Sequence, residues 1–212
     1  MADCERALKA DPSDAYVLVA RAESLWKLGR CEEALGDLST ALQSEPDNDR
    51  ALMHRINFFT DLGRYEEAIA DIEVAMKVVP SEHEQLLIAR GLRLSYLERY
   101  QDACNDFEQV GLAQLGVAYY HAVAKAKLAG AEAARQEIQT VRDRMLSFLG
   151  TENRGRALLY LGGLCAVEND FERALKYLAE AKETGDSIDF ALRDVAWLGL
   201  RPQPEFQALL KP

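Results

Sequence analysis

The chain has little that would cross-link or interrupt it: four cysteines, six prolines and thirteen glycines among 212 residues. Cys4, Cys31, Cys104 and Cys165 stand far apart, form no CxxC pair and have no histidine at metal-ligand spacing. That pattern excludes a zinc site and a disulfide framework and leaves reduced, mostly buried thiols. Nowhere do 18 apolar residues run together, and Met1 to Lys9 lack the basic start and apolar stretch of a secretory signal. The cytoplasm is the expected compartment.

Catalytic groupings are missing too. His54, His83 and His121 are the only histidines, and none lies in HExxH; no GxSxG and no phosphate-cradling glycine loop accompanies them. Glu32-Glu33 and Glu66-Glu67 open helices, where negative charge favours the helix dipole, so they need no acid/base role. A basic stripe is also absent. The net charge is -10 and the sequence pI about 4.9, which argues against nucleic acid, because neutralising phosphates needs clustered cations. Arg90, Arg93 and Arg99 are interleaved with apolar positions and carboxylates and read as a solvated helix face. The sequence therefore predicts no enzyme activity, no cofactor, no metal, no nucleic acid and no membrane partner.

What is present is a repeat. Leu28-Gly29-Arg30-Cys31-Glu32-Glu33-Ala34-Leu35 returns as Leu62-Gly63-Arg64-Tyr65-Glu66-Glu67-Ala68-Ile69, a period of 34 residues. A period of that length means one supersecondary unit, unable to bury its apolar face alone, stacked on copies of itself. Each unit reads as an amphipathic helix, a tight turn, a second amphipathic helix and a short connection often holding proline. Ala34 and Ala41, Ala68 and Ala75, and Ala174 and Ala181 recur two helical turns apart, where a neighbouring helix can approach closely; Leu38, Ile72 and Leu178 fill the space between them. Gly29 and Gly63, with Asn169 in the same role, supply left-handed turns. Asp11-Pro12, Glu45-Pro46 and Val79-Pro80 end second helices.

These residues resemble the tetratricopeptide repeat. The first unit carries the pattern at Leu18, Ala22, Leu25, Gly29, Ala34, Leu38, Ala41 and Pro46. The second carries it at Leu52, Phe59, Gly63, Tyr65, Ala68, Ile72, Ala75 and Pro80, with Ile56 where a small residue is expected. The third offers Leu87, Gly91, Leu94, Tyr100, Ala103, Phe107 and Val110. A degenerate fourth has a helix from about Leu112 to Ala129, then Gly130, Ala134, Ile138 and Val141. The fifth recovers the pattern at Leu158, Leu161, Gly162, Cys165, Phe171, Ala174, Leu178 and Ala181. The resemblance implies an all-α, right-handed superhelical solenoid of antiparallel helix pairs in a single domain. Its expected parts are a partial unit over 1–14, repeats over 15–48, 49–83, 84–114, 115–154 and 155–188, and a C-terminal cap over 189–212. Residues 2–12 align with 36–46, so Met1 either interrupts a longer protein or begins a half-unit that serves as a cap. Ile188 to Leu200 reads as a final first-type helix, followed by a short helix from Glu205 to Lys211 whose Phe206, Leu209 and Leu210 cover the last apolar face.

In the family resembled, first helices line a concave face that binds a protein or peptide partner. That geometry places Tyr16, Val19, Glu23 and Trp26 on the face, then Arg50, Met53, His54, Asn57 and Asp61, then Ile88, Leu92, Tyr96, Tyr119, Tyr120 and Val123, and finally Arg156, Leu159 and Tyr160. The partner-binding residues selected from these are Trp26, Arg50, Met53, His54, Asn57, Ile88, Leu92, Tyr96, Tyr119 and Val123, the later ones forming an apolar trough. The carboxylate clamp that holds chaperone tails is not matched: Val19, Glu23, His54, Gln85 and Ala89 stand at its positions, and Glu23 would repel a terminal carboxylate. The function implied is a protein-interaction scaffold. The alternatives are the repeat region of a larger enzyme or regulator, and a helical-repeat RNA binder, which the acidic balance disfavours.

Overall fold

Short polar side chains and prolines set the helix ends. The computed structural model describes residues 2–185 and 187–210 and contains helices only, with no strand among them. The chain forms two compact units, Met1–Leu97 and Glu98–Pro212, which divide inside the third expected repeat.

The first unit holds α1 (Ala2–Ala10), α2 (Ala15–Lys27), α3 (Cys31–Ser44), α4 (Asp49–Asp61), α5 (Tyr65–Val78) and α6 (His83–Tyr96), with a 3-10 turn at Pro80–Glu82. Asp14 and Asn48 cap α2 and α4 by accepting the amides of Val17 and Ala51 at 3.1 and 2.9 Å. The helices before Pro12, Pro46 and Pro80 stop at Ala10, Ser44 and Val78, since proline cannot continue the hydrogen-bond ladder. Each helix packs on the next along the chain, and α2 also meets α4. Ala34, Ala41, Ala68 and Ala75 are sealed in these contacts, with Leu38 and Ile72 between them. Ile56, the departure from the small-residue pattern, is buried with Leu52, Ile72, Ala75 and Leu86.

The same unit contains a device the sequence reading missed. Arg21 forks onto Asp37 through two hydrogen bonds of 2.7 Å, and Arg55 onto Asp71 in the same way, each pair 16 residues apart. Asp37 and Asp71 are buried, so each is neutralised by a bidentate guanidinium that ties a first helix to the second helix of its own hairpin. The signal was available: Arg and Asp recur at one spacing in successive repeats.

The second unit holds α7 (Tyr100–Val110), α8 (Leu115–Ala129), α9 (Arg135–Leu146), α10 (Arg154–Val167), α11 (Phe171–Glu183), α12 (Asp189–Arg193) and α13 (Pro204–Leu209), with a 3-10 turn at Val195–Trp197. α8 begins at Leu115 and not near Leu112. The expected helix from Ile188 to Leu200 is broken. Asp194 is extended (φ -102°, ψ 130°), and its carboxylate accepts the Ala196 amide at 2.9 Å and the Tyr119 hydroxyl at 2.6 Å, so a buried side-chain cap outcompetes the helix ladder. The last helix starts at Pro204 and ends at Leu209; Lys211 lies outside the described residues.

Gly29 and Gly63 take the left-handed conformation (φ 75° and 72°), as does Asn169 (φ 63°). Between α6 and α7 the left-handed residue is Glu98, at φ 58°. A glutamate there carries the Cβ strain that glycine avoids. Glu98→Gly is expected to raise stability by about 1 kcal/mol, measured by urea denaturation; a loss of stability would show that the glutamate side chain contributes more than its backbone costs.

Candidate partner-binding surface

Three first-type helices of the first unit, α2, α4 and α6, present the residues expected to bind a partner. Trp26 on α2 stacks on Phe58 of α4, with ring centroids 3.9 Å apart and planes 4° from parallel. Trp26 is half-buried and Phe58 buried, so the stack fixes Trp26 and leaves part of it open. One turn away Glu23 receives both Arg50 (2.6 Å) and His54 (3.0 Å) from α4, and the Arg50 guanidinium lies 5.8 Å from the centre of the exposed Tyr16 ring. Glu23, the residue expected to repel a terminal carboxylate, is therefore already engaged by Arg50 and His54. Arg50 and His54 orient each other through it.

Met53 is half-buried against the core, and Asn57 is exposed. Ile88, Leu92 and Tyr96 lie four residues apart on α6, and each keeps part of its side chain in solvent. Tyr96 stacks on Tyr65 of α5 at 4.7 Å. Eight of the ten selected residues thus belong to one unit and reach the surface to differing degrees. Val19, the other apolar candidate on α2, is 1% exposed and packs in the core.

Tyr119 and Val123 require correction. They are 0% and 1% exposed, inside the second unit. α8 is apolar on nearly every side, because α7, α9 and α10 all pack on it, and this removes the open face a groove helix would have. Tyr119 stacks on Tyr160 at 4.4 Å and donates its hydroxyl to Asp194. Burial and the Asp194 charge hold that hydroxyl well above the usual tyrosine range, so it remains a donor. Burial pushes the Asp194 carboxyl up to about 6, against the opposing pull of the Tyr119 and Ala196 hydrogen bonds. Leu159 is buried as well, whereas Tyr120 and Tyr160 are half-buried. An open cavity of about 300 Å³ lies beside Tyr160, lined by Leu115, Gly116, Met145, Phe148 and Arg156 among others.

Among the described residues no three His, Cys, Asp or Glu side chains converge as metal ligands, and no helix is long and apolar enough to cross a membrane. Burial pushes the Cys104 thiol up to about 11 and also raises that of Cys165, so both are poor nucleophiles at neutral pH. The arrangement offers shape, apolar area and fixed charges.

Helix hairpins joined by tight turns and stacked through small residues define a helical-repeat protein. The family pattern of the tetratricopeptide repeat matches residues 19–77, so that stretch carries tetratricopeptide repeats. Many solved structures share the fold, and three of them illustrate it. YrrB, described as a tetratricopeptide repeat protein with an unusual peptide-binding site, is 19% identical; the match covers 89% of this chain and 95% of YrrB at a TM-score of 0.54. A tetratricopeptide repeat protein from Parabacteroides merdae is 17% identical over 98% of this chain and 90% of its own, at a TM-score of 0.58. PilF of Pseudomonas aeruginosa is 22% identical over 94% and 86%, also at 0.58. No curated protein matches the sequence.

Proposed function

We propose that this chain is a non-enzymatic interaction module that holds a segment of a partner protein along the first-helix surface of α2, α4 and α6. The observation that carries the reading is the row of partly open apolar and aromatic side chains on consecutive first helices, Trp26, Met53, Ile88, Leu92 and Tyr96, beside the fixed polar group Glu23-Arg50-His54. Partly open aromatics held by stacking supply contact area at low entropic cost, and preset polar groups orient what binds. The peptide-binding site named for the similar fold of YrrB supports the same use here. Tyr119 and Val123 have no direct part in it.

The test is a random-peptide display selection on the full chain, followed by affinity measurement with a synthetic copy of a selected peptide. Leu92→Asp is expected to weaken binding by about 2 kcal/mol or more, because it places an unpaired charge in a desolvated contact. The helical circular-dichroism signal should persist and the melting temperature move by only a few degrees. A severely destabilised Leu92→Asp would show that Leu92 is core and overturn its assignment. A selection that yields no specific binder would overturn the reading itself.

A further inference from the structure

Arginine heads in the first unit are paired with carboxylates as a rule. Arg21 and Arg55 fork onto Asp37 and Asp71, Arg50 reaches Glu23, Arg64 reaches Glu67, and Arg90 lies 3.6 Å from Glu73. Arg93 on α6 departs from this rule. Among the described residues of the unit it is the arginine with no carboxylate at ion-pair distance, although its side chain is half-buried. Its acceptors are neutral: Nε and Nη2 both donate to the Thr60 hydroxyl at 3.1 and 3.0 Å, and Nη1 donates to the Ala89 carbonyl at 2.9 Å. Thr60 in turn donates to the Ile56 carbonyl at 2.6 Å, which fixes the hydroxyl with its lone pairs toward Arg93.

The expectation that Arg93 belongs to a solvated helix face is therefore corrected. Burial pulls its guanidinium below the ordinary arginine range, with Asp61, Tyr65 and Tyr96 the nearby groups that counter this. Much of the desolvation of this cation has already occurred in the free protein, and no carboxylate of the unit stands at ion-pair distance, Asp61 acting on it only from farther away. Each terminal nitrogen still has an N–H to offer, since a guanidinium carries five donors in a planar fork. An incoming carboxylate gains a charge-assisted bond at a site that needs little further reorganisation. The neighbouring residues decide what carries that carboxylate. Leu92 precedes Arg93, and Tyr96 follows within one turn, held by its stack on Tyr65.

We infer that Arg93 is the specificity point of the first-unit surface and that it recognises an Asp or Glu side chain adjacent to an apolar residue in an extended or helical peptide. The inference rests on the reading of this surface as a peptide site and adds the chemistry of its ligand.

The experiment uses peptides selected by display on the full chain. The expected sequences carry Asp or Glu at a fixed offset from a large apolar residue. Arg93→Gln should weaken the best synthetic peptide about tenfold or more, and changing the peptide's acid to its amide should weaken binding to the wild-type chain equally. On the Arg93→Gln chain the amide peptide should lose nothing further. If Arg93→Gln does not fold, the peptide-side substitution on the wild-type chain still decides: an unchanged affinity overturns the inference. Selected peptides without an acidic residue, or two losses that simply add, would also overturn it and leave the peptide site standing. Absence of any binder to the wild-type chain would remove the site and the inference together.

Discussion

Gly163→Ala is expected to cost about 3 kcal/mol or more and to unfold the second unit first. Gly163 lies in α10 against the Tyr119 ring; a Cβ there would overlap the Tyr119 hydroxyl, lie 3.0 Å from its Cζ and lie 3.3 Å from the Ala196 Cβ. Tyr119 cannot swing aside without cost, because its hydroxyl is bound to the buried Asp194 and its ring is stacked on Tyr160. Gly162→Ala should be nearly as damaging: its Cβ would lie 2.8 Å from Cζ2 of the fully buried Trp197 and 3.2 Å from the Ala174 carbonyl oxygen on the far side. With Trp26 replaced by Phe, Trp197 is the remaining indole, and its fluorescence during chemical denaturation reports on this unit alone. A loss under about 1 kcal/mol would mean that the helices separate easily there, contrary to the close packing described. Removing the Tyr119 hydroxyl in a Gly163→Ala/Tyr119→Phe double variant should cost less than the sum of the two changes, because the clash and the hydrogen bond share one atom.

Asp194 makes the second unit more stable in mild acid than at neutral pH. Its folded value of about 6 lies above the ordinary 3.8, so the folded state holds a proton that the unfolded state releases. The stability from the neutral form is fully present below the unfolded value and is lost as pH rises through about 6. The difference between pH 5 and pH 8 is about 1.4 kcal/mol, since only the one pH unit between 5 and the folded value of about 6 contributes, at 1.36 kcal/mol per unit. Asp194→Asn should flatten the slope over that window, at the cost of one acceptor for Tyr119 or Ala196. Below about pH 4 the trend reverses, since Asp170 is held below its usual range by the Arg173 amide and guanidinium and Glu137 by Lys125, and both lose those contacts on protonation. A Trp197-detected stability that is flat from pH 5 to 8, or that rises with pH, would refute the burial of a neutral Asp194.

Much of the candidate surface was legible. The four-residue spacing of Ile88, Leu92 and Tyr96 put them on one strip of one helix, and period alone ordered Trp26, Arg50, His54 and Asn57 along successive first helices. The spacing could not show that Glu23 is shared by Arg50 and His54, or that Arg93 lacks a carboxylate, because a charged residue reads alike in sequence whether it is paired or not. Tyr119 and Val123 obey the same spacing as Leu92 and Tyr96, yet they are core.

The sequence by itself determined the helix hairpins of the first unit, their glycine turns and proline stops, and their small-residue contacts. These follow from local rules, such as proline blocking a ladder, glycine permitting a left-handed turn, and alanine admitting a neighbouring helix, and a local rule repeated every 34 residues declares itself. The tertiary structure alone decided which faces of those helices remain open. Asp194 breaks the last first-type helix by accepting a hydroxyl from Tyr119, 75 residues earlier, and that long-range bond helps seal α8. Helical periodicity specifies that a face is apolar, but whether a neighbour or a ligand covers it depends on distant residues that fold onto it.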